Sequence, residues 1–164
     1  MGLLWWFREL ARYNRIANER LYAACAALDD TEYRKSRQVS LGSIHALLNH
    51  ILLGDRIWME RFQGGGTSTP PLRTILFDDF AALRCARTEH DARIEAFFQA
   101  AGEEFLSRSI RYINSQGQEY VELAPAAAGH LFNHQAHHRG QIHAMLAQTP
   151  VAPPSLDLHR ILNP

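Results

Sequence analysis

The chain has no apolar run approaching the roughly 18–20 residues needed to cross a bilayer, so no membrane role is expected. Charge of one sign is missing as well: 17 Lys and Arg balance 17 Asp and Glu. That balance gives no basic footprint for nucleic acid, which normally shows as a cationic patch or stripe. Cysteine is scarce. Cys25 and Cys85 lie in separate helical segments and read as two buried, reduced thiols, which makes the cytoplasm the default location. The opening MGLLWWFREL lacks the basic leader and long apolar stretch of a signal peptide, and reads as the start of a helix.

What is present is ordinary in bulk and unusual in one respect. A length of 164 residues, 46% hydrophobic and 21% charged, suits a single globular domain over residues 1–164. Histidine stands out. There are nine, and four of them, His130, His134, His137 and His138, fall within nine residues.

Periodicity predicts four long helices. Over residues 3–28, Leu10, Tyr13, Asn14, Ala17, Leu21 and Cys25 recur at helical spacing. A polar, turn-rich connection follows over 29–41. A second helix over 42–62 begins near Ser43 and ends at the glycine run 64–66, inside the linker GGGTSTPP. A third covers 77–101, with Asp78 or Asp79 as its cap and Gly102 behind it. Ile110 and Tyr112, then Glu119 and Tyr120, flank the turn Asn114-Ser115-Gln116-Gly117 and predict a β-hairpin. Pro125 opens a fourth helix ending near Gln148, and the tail is extended with a short final turn. The sum is an all-α fold: a four-helix bundle with a small β-hairpin before the last helix.

On a helical wheel His134 and His138 are about 40° apart, and Leu131, Ile142 and Met145 lie within about 80° of His134. The pair therefore projects from the apolar stripe. Two imidazoles one turn apart can point at a common atom. A stable site needs a third ligand from another helix. His50 aligns with Leu47, Gly54 and Ile57, opposite Asn49, Arg56 and Glu60, which mark the solvent side; His45 falls near the polar arc. Inward histidines also occur as satisfied core residues, but several together would repel if charged and need partners if neutral. A divalent ion satisfies them at once. Three ligands leave an open position, as in catalytic zinc sites, and imidazole also accepts nickel, cobalt and iron. His130 stacks one turn from His134 and could replace a ligand or act as a nearby base, whereas His137 flanks the site and His143 faces away.

Other patterns fail. Gln135 stands where a His-Glu-x-x-His protease needs glutamate. Glu60 and Glu122 do not supply a di-iron pattern. The cluster Trp5, Trp6 and Phe7 reads as core packing, with a dimer contact or membrane foot as alternatives.

The segments ARYNRIANERL, LLNHILLGDRIWMERF and HLFNHQAHHRGQIHAML together resemble the DinB (damage-inducible) family of bacterial proteins, over roughly residues 5–148. The resemblance implies a four-helix bundle with non-sequential packing and a metal site on His50, His134 and His138. It implies zinc or nickel as the ion, water completing its shell, and a homodimer. The wider superfamily includes enzymes that use mycothiol, bacillithiol or glutathione, so the implied activity is that of a metal-dependent transferase acting on a low-molecular-weight thiol. Many DinB members have no established activity. The alternative is therefore a non-enzymatic, stress-linked metal-binding or interaction protein. Tyr13 and Asn14 on the first helix are candidates for the cavity or for support behind the ligands. Arg139 points away from the site and supports structure or an interface.

Overall fold

Short polar side chains start two of the long helices. Ser43 accepts a hydrogen bond from the Ala46 amide and Asp79 from the Ala82 amide. Each satisfies one of the donors that a helix N-terminus leaves unpaired. The computed structural model, which describes residues 2–66 and 69–163, has long helices α1 (Leu3–Cys25), α3 (Ile44–Phe62), α4 (Phe80–Ala100) and α6 (Ala124–Leu146). Thr67 and Ser68 of the GGGTSTPP linker lie outside the described residues. The strands β1 (Ser109–Ile113) and β2 (Glu119–Leu123) pair antiparallel, with Tyr112 opposite Tyr120. Gly117 takes the left-handed conformation in their turn, at φ 76°. Three short helices went unpredicted or half-predicted: α2 (Asp30–Arg34), α5 (Glu104–Ser107) and α7 (Leu158–Leu162). The first two are one turn or slightly longer, too short to show a period.

The helices do not pack in chain order. α1 lies against α4 and α6, and α3 lies against the same two. Consecutive long helices α1 and α3 therefore sit across the diagonal of the bundle. The hairpin rests on α3 and α6, and α7 folds back onto α1.

The apolar core has two parts. One gathers Phe7, Met59, Phe62, Phe98, Phe105 and Phe132 at one end of the bundle. The other gathers Leu21, Leu47, Leu52, Leu83, Ile142 and Leu146 at the opposite end. Between them is a buried polar layer to which all four long helices contribute. Arg87 on α4 donates to Asp55 on α3 at 2.6 Å and forms an ion pair with Asp91 at 2.8 Å. Asp91 accepts from Asn14 and Asn18 on α1. Gln135 on α6 donates to Asp55, and Arg139 donates to Asn14, Asn18 and Gln135. Burial pushes both carboxyls up, Asp91 to about 6, against the pull of Arg87.

Several sequence expectations change here. Asn49 is buried, not on the solvent side: its amide donates to His45 O and Phe77 O, and its carbonyl accepts from Leu76 and Phe77 amides. It ties the start of α4 to α3, a role that a wheel cannot show. His45 is also buried, bonded to Phe77 O and edge-on to Tyr33. Cys25 is buried and its thiol is pushed up to about 12, but Cys85 is exposed. Of the aromatic cluster, Phe7 joins the core while Trp5 and Trp6 remain 42% and 38% exposed.

Candidate metal centre

His50 comes from α3, and His134 and His138 from adjacent turns of α6. One ring nitrogen from each lies within 4.8 Å of the other two. The Nε2 atoms of His50 and His134 are 3.2 Å apart. The His138 ring centroid is 4.4 Å from that of His134 and 4.6 Å from that of His50.

Hydrogen bonds fix the tautomers of two rings. His50 Nδ1 is 2.8 Å from Leu72 O, which can only accept, so Nδ1 carries the proton and Nε2 keeps its lone pair. His138 Nδ1 is 2.8 Å from Gln141 Oε1, an acceptor whose amide end faces His137. That again leaves Nε2 as the unprotonated nitrogen. Burial first, then the neighbouring histidines, push His134 down to about 3, and burial also lowers His138. Burial and the neighbouring rings thus favour the uncharged, ligating form of His134, and burial does the same for His138. His134 Nδ1 is buried without a partner among the described residues, and three imidazoles are a donor set that zinc and nickel both accept. The residues fit a divalent ion.

Gly54 makes the room. A β-carbon at this position would lie 2.8 Å from His134 Cε1 and 3.3 Å from its Nδ1. Gly54→Ala should therefore displace the His134 ring and weaken metal binding at least about tenfold, comparable to loss of a supporting contact. The helix itself should not suffer, since alanine is the better helix former by roughly 0.5–1 kcal/mol. Competition against a chromogenic chelator checks the first point and thermal unfolding of the metal-free protein the second.

Beside the histidines opens a cavity of about 610 Å³, lined by His50, Gly54, Trp58, Arg61, Tyr112, Glu122, His130 and His134 among others. His130 is exposed, its ring centroid 6.0 Å from that of His134 and 5.1 Å from Trp58. It borders the cavity rather than completing the cluster. Tyr13 and Asn14 do not line this cavity. Tyr13 donates to Leu156 O at 2.8 Å, across a separate groove between α1, α6 and the tail. Asn14 belongs to the buried polar layer. Asn14 is buried and Tyr13 half-buried on α1, but α1 sits on the far side of α6 from the histidines. Arg139 likewise serves the polar layer. His90 is buried apart from the cluster, and burial together with Arg87 pushes it down to about 3.

The sequence did not reveal the polar layer as a neighbour of this site. Its members on α3 and α6 follow the site residues by one: Asp55 after Gly54, Gln135 after His134, Arg139 after His138. A helix turns about 100° per residue, so one residue faces the cavity and the next faces the interior.

The sequence model of the DinB family matches residues 3–164. Protein DinB of Bacillus subtilis (strain 168) is 26% identical over 160 residues, covering 88% of this chain and 86% of that protein. The crystal structure of a DinB-like protein from Bacillus cereus ATCC 10987 superposes with a TM-score of 0.63 at 14% identity, covering 85% of this chain and 89% of that one. At that identity the superposition speaks for the fold alone.

Proposed function

The chain belongs to the DinB family, and from that premise we propose that it is a metal-dependent transferase acting on a low-molecular-weight thiol, with one zinc or nickel ion held by His50, His134 and His138. The observation that carries this reading is the convergence of three imidazoles, two of which, His50 and His134, line an open cavity. A structural site would be closed by a fourth protein ligand, and no fourth histidine, cysteine or carboxylate joins the cluster among the described residues. When bound, the ion supplies a Lewis acid that holds a thiol as its thiolate at neutral pH.

The chain's own groups do the rest. Leu72 O and Gln141 hold two of the rings in the ligating tautomer. Gly54 lets His134 approach α3. Ile57 and Trp58 give the cavity an apolar wall. His130, exposed at the rim, is placed to accept a proton from an incoming thiol.

The test is to load the protein with nickel and titrate a simple thiol, following the thiolate-to-metal absorption band. A saturable band, absent in His50→Ala, is expected. A metal-loaded protein that gives no band with any thiol would favour the non-enzymatic alternative.

No helix among the described residues is long and apolar enough to cross a membrane. We also propose that the protein is a homodimer, formed through the exposed apolar end of α1 at Leu3, Trp5 and Trp6. Light scattering should give twice the chain mass, and Trp6→Glu should halve it.

A further inference from the structure

One charged group in the cavity has no part in holding the ion. Arg61 lies on α3 two turns beyond Gly54 and is only 6% exposed. Its guanidinium carbon is 3.9 Å from the Tyr112 ring centroid and 4.4 Å from that of Trp58. Nη2 donates to Thr69 Oγ1 at 3.1 Å and Ile113 O at 3.2 Å. Nε is buried with no acceptor among the described residues. Arg87, the other buried arginine of α3 and α4, meets two carboxylates. Arg61 meets none at hydrogen-bond distance among the described residues. Glu122 shares the cavity and attracts it only from farther off. Thr67 and Ser68 of the adjoining linker bring no negative charge.

A guanidinium has five donors in a planar fork and cannot shed its charge. Buried with a donor unsatisfied and no anion beside it, it is costly to the fold unless a ligand completes it. Side chains on a helix lean toward its N-terminus, and the guanidinium sits over Trp58, one turn closer to Gly54. The anion-recognising end of the cavity is thus about 6–10 Å along the helix from Gly54, against which His134 packs.

We propose that Arg61 is the anion-recognition residue of this cavity, and that the ligand is a small thiol carrying a carboxylate, its sulfur toward His50, His134 and His138 and its carboxylate on the Arg61 guanidinium. The thiol end rests on the function proposed above. The carboxylate end rests on Arg61 alone. Paired hydrogen bonds from the fork suit a carboxylate better than any neutral group. The flat faces of Trp58 and Tyr112 hold the guanidinium in place and keep its edge for the ligand.

The test compares 6-mercaptohexanoate with 6-mercaptohexan-1-ol, matched in length and differing in charge, by the thiolate band of nickel-loaded protein. The carboxylate should bind at least about tenfold more tightly, as expected for a hydrogen bond to a charged group. Arg61→Gln should abolish that preference without changing the affinity for the alcohol, and Arg61→Lys should keep part of it. Equal affinities in the wild-type protein overturn the proposal and leave the thiol reading intact. A preference that survives in Arg61→Gln, with helical circular dichroism unchanged, also overturns it. No band with either thiol overturns the thiol reading, and this one with it. The wild-type comparison decides the matter even if Arg61→Gln fails to fold.

Discussion

His134→Ala protein should emerge from purification without its ion and bind added zinc or nickel more than about 100-fold more weakly than wild type, beyond the 10–100-fold typical of losing a supporting group. His134 is the ring on which the cluster turns. It is within 3.2 Å of His50 through Nε2 and stacks edge-on with His138. Without it, His50 on α3 and His138 on α6 offer a pair on two helices. His143→Ala, one further turn along α6 and outside the cluster, should keep one ion per chain. Metal content by mass spectrometry on untagged protein decides between the two variants. If both keep the ion, the ligand assignment is wrong.

Arg87→Ala should destabilise the fold by about 3–5 kcal/mol, the usual cost of stranding a buried charge. Two carboxyls, Asp55 and Asp91, would then share the centre of the bundle with Arg139 alone nearby. For a domain of this size the loss corresponds to a Tm lower by roughly 6–20 °C. It should depend on pH. Burial already raises Asp91 to about 6 in the presence of Arg87, and removing the cation raises it further. A carboxyl whose folded pKa exceeds its unfolded value, about 3.9, binds protons more readily folded than unfolded. Its contribution to stability is fully present below about 3.9 and is lost as pH rises through the folded value. The deficit of Arg87→Ala relative to wild type should therefore shrink as pH is lowered from 8 toward 5. A deficit that is constant or grows in acid would mean that the carboxyls are not the stranded groups.

The parts legible in the sequence were those with a long period or a distinctive side chain. The four long helices follow from apolar spacing, and the caps at Ser43 and Asp79 from residue type. Gly117 marks the hairpin turn. The three histidines could be brought to one face of two helices by wheel arithmetic, because each is read against its own helix. What failed needed knowledge of which helix faces which. Asn49 is polar and its type alone points to solvent, yet it bonds to a loop nearly thirty residues away. Tyr13 and Asn14 point inward, but α1 meets α6 on the side away from the histidines. Arg87 and Asp91 are four apart on one helix face and could have been taken for an ordinary surface pair. Their burial is a property of the assembled bundle.

The diagonal placement of α1 and α3 bears on how the chain reaches this state during synthesis. A nascent N-terminal helix finds no lasting neighbour in the next long helix; it must wait for α4, and the layer it shares with Asp91 cannot close until α6 supplies Gln135 and Arg139. One member of the histidine cluster, His50, leaves the ribosome early, and the other two, His134 and His138, leave it late. An ion held as proposed by this cluster would not seed folding, since its ligands come from two helices far apart in the chain. It would be captured by a bundle already assembled, a latch on a finished structure whose grip would grow with the free metal concentration.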